Sequence, residues 1–186
     1  MLSASHVEGV YTCLDNLVKT LNSSLDPTEE LKVFKEGWTE FINALRITNM
    51  DILDTVPFAE LRMALITHSY DDELVLLETL LVQARPKSLE AWNSLGGTYL
   101  RQSKHKKAEE CFKRALWIRD FVGTDFNDKK TEACCLLALA IAQLEQKKIP
   151  EAFCNAFEAR SILISCGSTT SIKSVTGTLD DIVSKM

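Results

Sequence analysis

Residues 90–117 read EAWNSLGGTYLRQSKHKKAEECFKRALW, from Glu90 to Trp117. Bulky and small residues are spaced there at helical intervals. Trp92, Leu95, Gly96 and Tyr99 recur three and four apart, so they share one helical face. After a polar turn at Lys104–Lys107, a second helix brings Ala108, Phe112 and Ala115 into line. Gly96 and Ala108 allow two helices to approach closely, and Trp92, Tyr99 and Phe112 fill the space around them. The stretch predicts a tightly locked helical hairpin.

The same periodicity extends in both directions. Val7, Val10, Tyr11, Leu14, Leu17, Val18 and Leu21 form one apolar face near the start. Asp26-Pro27-Thr28-Glu29-Glu30 has the order of a helix opening. It offers a capping oxygen, a proline at the first helical position, and carboxylates at the positive helix end. The helix that follows should bury Leu31, Phe34, Trp38, Phe41, Ile42 and Leu45. Thr48–Val56 predicts a break, with Pro57 opening a short helix. Asp71-Asp72-Glu73 starts the next one, which carries Leu74, Leu77, Leu80 and Leu81 to a stop at Pro86. Ser88 is placed to cap the helix holding Trp92. Residues 121–130 read as a loop, or as an extension of the preceding helix followed by a turn. Helices near 131–146 and 150–165 follow. Beyond a break at Gly167–Thr170 lies an amphipathic segment with Ile172, Val175, Leu179 and Ile182. About nine helices and no strand are expected, an all-α protein.

Composition agrees with that class. The 186 residues include only 7 Gly and 4 Pro, too few for the tight turns of an all-β domain. Six cysteines (Cys13, Cys111, Cys134, Cys135, Cys154, Cys166) form no CxxC pair and have no His at ligand spacing. They read as small buried hydrophobes in a reducing compartment, not as disulfides or metal ligands. His6, His68 and His105 are scattered, and the chain has no HExxH, GxSxG or phosphate-binding glycine loop. No catalytic residue, cofactor site or metal site is expected. The start, MLSASHVEGVYTCLDNL, lacks the basic head and apolar run of a secretory leader. No stretch nears the ~20 apolar residues that cross a bilayer. Asn22-Ser23-Ser24 therefore reads as an accidental glycosylation sequon, and a cytoplasmic or nuclear location without membrane contact is expected. The net charge of −5 is unevenly placed: residues 1–86 carry 6 Lys/Arg against 14 Asp/Glu, and residues 87–186 carry 15 against 12. Such asymmetry marks either a charge-complementary partner surface or two differently solvated sets of helix faces.

With these residues in view, the stretch at 90–117 resembles a tetratricopeptide repeat (TPR), a 34-residue unit of two antiparallel helices. Trp92, Leu95, Gly96 and Tyr99 match its first helix and Ala108, Phe112 and Ala115 its second, over about 89–122. A divergent copy over about 133–166 matches at Leu136, Leu139, Ala140, Ala152, Ala156 and Ala159, with Gln143 where the family has Tyr. About ten extra residues precede it. Counting back one unit, Phe58, Leu61, Leu74 and Leu81 fit a third copy over about 55–86, where Arg62 and Glu78 depart from the pattern. The resemblance implies an antiparallel helix-pair solenoid with a right-handed superhelical twist. A lone repeat cannot bury its faces. The implied organisation is therefore an N-terminal helical hairpin (1–50), TPR-like repeats (51–170) and a C-terminal capping helix (171–186).

The resemblance also implies a mode of action, since such arrays bind peptides or partner helices in a concave groove lined by their first helices. On this chain those positions are Asn93, Gly97, Leu100, Arg101, Leu137, Ile141 and Leu144, with Glu90 and Glu145 beside them and Ala59, Met63 and Ile66 upstream. Most are apolar. The clamp by which some relatives grip acidic C-termini needs Asn and cations here, and Gly97, Leu137 and Ile141 supply none. An amphipathic helix or apolar peptide suits the groove, unless the chain's own C-terminal helix fills it. The basic residues between Arg101 and Arg119 invite an RNA-associated reading, but Glu109, Glu110 and Asp120 dilute the field and no nucleic-acid motif accompanies it. The expected function is a non-catalytic protein–protein interaction adaptor or assembly subunit, with neither nucleic acid nor a small molecule as its ligand. The alternatives are a structural subunit using the acidic N-terminal helices and an RNA-associated factor using the 101–119 face.

Overall fold

A computed structural model describes residues 4–23, 26–47, 56–122, 129–167 and 169–185. Among them lie nine α-helices and no strand. They are α1 (Ala4–Leu21), α2 (Pro27–Ile47), α3 (Val56–Thr67), α4 (Asp71–Ala84), α5 (Leu89–Arg101), α6 (His105–Val122), α7 (Lys129–Glu145), α8 (Ile149–Ser165) and α9 (Thr169–Ser184). The all-α, helix-pair class is thus observed. The break at 48–55 and the middle of the 121–130 insert fall outside the described residues; α6 includes residues 121 and 122, and α7 opens at 129. No helix among the described residues is long and apolar enough to cross a membrane.

The chain divides into two compact units, Met1–Leu74 and Val75–Met186. In the first, α1 packs against α2 and α3. Its core is built by the faces that periodicity marks: Leu14, Leu17 and Leu21 from α1, Phe34, Phe41 and Leu45 from α2, and Phe58, Leu61 and Leu65 from α3. The Thr28 N–H donates to Asp26 Oδ2 at 3.1 Å, so Asp26 opens α2 as its position suggests. Tyr70, just beyond α3, stacks on Phe34 with ring centroids 4.4 Å apart, and His68 Nδ1 lies 3.3 Å from Glu30 Oε1.

In the second unit α5 pairs with α6 and α7 with α8. The first hairpin closes on one aromatic ring. A Cβ added at Gly96 would stand 2.6 Å from Phe112 Cε1, inside any carbon–carbon contact distance. Phe112 itself is fully buried with Leu89, Ala108, Ala115, Cys135, Leu139 and Ala142. On α7, Cys135, Leu139 and Ala142 face back to α6, while Leu136, Ala140 and Leu144 face α8. Helix α9 covers the far side of that second pair. Val175, Leu179 and Ile182 pack on α7 and α8, whereas Asp180 and Lys173 are exposed.

Three helix ends share one turn. Ser69, Ser103 and Lys147 have φ of 58°, 56° and 62°, in the left-handed region that L-residues seldom enter. In each, the next N–H reaches back five residues: Tyr70 to Leu65, Lys104 to Tyr99 and Lys148 to Gln143, all at 2.9 Å. This is the Schellman closure of a helix end. It recurs 34 residues apart at the ends of α3 and α5, then 44 further on at the end of α7. It also moves the expected turn at Lys104–Lys107. The left-handed Ser103 ends α5 early, and α6 is already helical at His105.

All six cysteines are free thiols. Cys111 and Cys135 are buried, which pushes their thiols up to about 11 and about 12. Cys134 and Cys154 are exposed rather than buried. Cys134 is turned about 100° around α7 from its neighbour, away from the Phe112 cluster.

Candidate protein-binding surface

Helix α5 is anchored at its start. The Ala91 N–H donates to Ser88 Oγ at 3.2 Å, and the Trp92 indole N–H donates to the Pro86 carbonyl at 3.0 Å. Those contacts, with the Gly96–Phe112 lock, fix the rotation of α5 and so fix which face it turns outward. Asn93, Gly97 and Leu100 are half-buried on that face, and Arg101 is exposed. A Cβ at Gly97 would meet nothing within 4 Å. A crowded position of the hairpin and an open one are adjacent in sequence.

Helix α7 lies against α5 and brings its own first-helix face alongside. Ile141 is 37% exposed. Of the other two α7 positions, one is half-buried and the other buried. Leu137 is half-buried against the cluster of Ala133, Leu136, Ala159, Leu163 and Val175. Leu144 is 7% exposed and packs with Ala140, Ala152, Ala156 and Ile182. In unit 2, then, Arg101 and Ile141 are exposed, Asn93, Gly97, Leu100 and Leu137 are half-buried, and Leu144 is buried. In unit 1, Ala59 and Met63 line a depression of about 520 Å³ with Asn22, Glu60, Ala64, Thr67 and His68; Met63 is 61% exposed and Ile66 37%.

Residues 89–120 match the family model described as tetratricopeptide repeat. The chain carries a tetratricopeptide repeat. The comparison with curated proteins gives no match. Among solved structures, one titled crystal structure of MamA protein aligns with a TM-score of 0.57 and 14% identity, covering 96% of this chain and 88% of that one. A second, titled crystal structure of MamA, aligns with a TM-score of 0.48 and 13% identity over 88% of this chain and 96% of that one. At such identity the first likeness speaks to the fold alone. Residues 89–120 thus carry a repeat of a kind that typically builds protein-interaction scaffolds.

On α7, Gln143 stands where the repeat pattern has Tyr, and the structure supplies it with a partner. Gln143 is buried, and its Oε1 accepts a hydrogen bond from Asn155 Nδ2 on α8 at 2.7 Å. A polar pair replaces an aromatic contact without leaving a buried acceptor unsatisfied.

Glu109, which reads in the sequence as a solvated charge, is 5% exposed. Lys113 Nζ lies 2.8 Å from its Oε1, and Lys148 Nζ and Gln146 Nε2 lie 2.6 and 2.8 Å from its Oε2. Burial opposes the charge, but those three hydrogen-bond donors prevail and lower its pKa from 4.5 to about 2. A depressed carboxylate stabilises the fold above its unfolded value and loses that contribution as pH falls from about 4.5 through about 2. Urea unfolding at pH 6 and pH 3 should therefore show a larger acid loss for the wild type than for Glu109→Gln. Equal losses would mean that Glu109 has no part in acid unfolding.

Proposed function

We propose that the chain is an adaptor that binds a peptide or amphipathic helix of a partner protein on the first-helix face of unit 2. Asn93 and Arg101 supply polar contacts that orient the ligand, and Gly97, Leu100 and Ile141 supply an apolar floor. The observations that carry this reading are the open space over Gly97 on α5 and the exposed Ile141 on α7, two helices in contact. An apolar floor without a covering side chain of its own is suited to receive one from elsewhere. Helix α9 acts as a cap, burying Val175, Leu179 and Ile182 while turning Asp180 and Lys173 to solvent. Six free thiols fit a reducing compartment, cytoplasmic or nuclear.

Gly97→Glu and Ile141→Glu test the reading better than changes at Leu137 or Leu144, which would disturb the core. Both substitutions add a charge at a solvent-facing site and should leave thermal unfolding within about 1 kcal/mol of wild type. Pull-downs followed by mass spectrometry should recover a defined protein with the wild-type chain, and that protein should be lost with both variants. Recovery of the same set by all three chains would refute the groove and move the interface to the acidic N-terminal helices.

A further inference from the structure

Glu109 holds two lysines in fixed places as well as joining two helices. Lys113 approaches one oxygen of its carboxylate and Lys148 the other. The two side chains are 59% and 41% exposed, so each ammonium keeps donors that face water. A clamp from α6 to the start of α8 needs only Lys148; Lys113, on the same helix as Glu109, adds no interhelix link. It does bring a second cation to the same spot. Gln146 Nε2 closes the arrangement with a 3.2 Å hydrogen bond to the His105 carbonyl.

Beside these lysines lies a depression of about 470 Å³, lined by Lys106, Glu109, Glu110, Lys113, Gln146 and Lys148. A second depression, of about 360 Å³, shares Lys106 and Gln146 and adds Lys104 and Lys107. Helix α6 begins at His105 and α8 at Ile149, so two positive helix ends add to the field at this edge. Lysines therefore outnumber the two carboxylates across both depressions. Apart from the His105 imidazole no aromatic side chain lines either depression, which leaves no platform on which bases would stack.

We infer that this turn edge binds an acidic segment of a partner polypeptide, with Lys113 and Lys148, both set in place by Glu109, receiving its carboxylates and Lys106 bridging the two depressions. Ammonium donors and carboxylate acceptors form charge-assisted hydrogen bonds, stronger where the donors are already positioned. The site is separate from the first-helix face and stands whether or not that face binds a ligand.

The test is fluorescence anisotropy of labelled hexaglutamate titrated with the full chain at low salt, beside labelled hexauridylate RNA. Wild type should bind hexaglutamate more tightly than the RNA, and Lys106→Glu, an exposed change, should weaken that binding about tenfold. Glu109→Gln is decisive because two mechanisms predict opposite signs. A diffuse basic field would bind an acidic peptide more tightly once a negative charge is removed. Anchored lysines would bind it at least about threefold more weakly, since an uncharged amide in place of the carboxylate no longer holds them. Equal or tighter binding by Glu109→Gln overturns the inference. So does insensitivity to Lys106→Glu, which needs no buried group and keeps the test valid if Glu109→Gln unfolds. Tighter binding of hexauridylate than hexaglutamate overturns it as well.

Discussion

Phe112→Ala should lower the stability of unit 2 by about 3–5 kcal/mol. The ring is fully buried at the point where α5, α6 and α7 meet, and much of its surroundings is alanine. Ala108, Ala115 and Ala142 have no rotamers with which to fill the hollow, so most of the cavity would remain. A domain of this size holds about 5–15 kcal/mol in all, which places the variant near the edge of folding. Phe157, on α8, is 55% exposed and provides the control; its replacement by alanine should cost less than about 1 kcal/mol. Urea midpoints of the two variants measure the difference. Similar midpoints would show that the first hairpin is not held by its central ring.

Contacts within one hairpin were legible in the sequence, and contacts between hairpins were not. Ser88, Gly96, Ala108 and Phe112 have partners close in sequence, so helical spacing was enough to place them. Leu144 misled because spacing puts it one face-length beyond Leu137 and Ile141, whereas its burial depends on Ile182 of α9. Glu109 reads as part of a charged surface because Lys148, 39 residues later, is what draws it inward. The repeated turn was hidden for a different reason. Ser69, Ser103 and Lys147 share a backbone conformation but no side-chain chemistry, so residue type gave no signal at the expected interval. Glu78, one repeat length before Phe112, weakens the upstream match, yet it is 1% exposed and occupies a core position. At the surface, the pattern pointed to Asn93, Gly97, Leu100, Arg101, Leu137 and Ile141 but could not tell these from Leu144. Only the packing of α8 and α9 makes that distinction.

Gly96→Ala and Gly97→Ala should have opposite signs although they change adjacent residues in the same way. At Gly96 the new methyl would lie 2.6 Å from Phe112 Cε1 and 2.9 Å from Cδ1 and Cζ. The ring is walled in by α6 and α7, so relief requires α5 to move away from its partner helix. Overpacking of this kind costs about 1–3 kcal/mol, and a rigid obstacle places Gly96→Ala at about 2–3 kcal/mol. At Gly97 nothing lies within 4 Å, and alanine there gains about 0.5–1 kcal/mol from helix propensity alone. The cause can be isolated by combining the first change with Phe112→Ala. Once the ring is gone its vacated space can accept the methyl, so Gly96→Ala should then cost little or even restore stability. The double variant should exceed the additive expectation by about 1–3 kcal/mol. Additive losses would mean that Gly96 is needed for its backbone and not for the ring it accommodates, and the close approach of α5 to α6 would require another explanation.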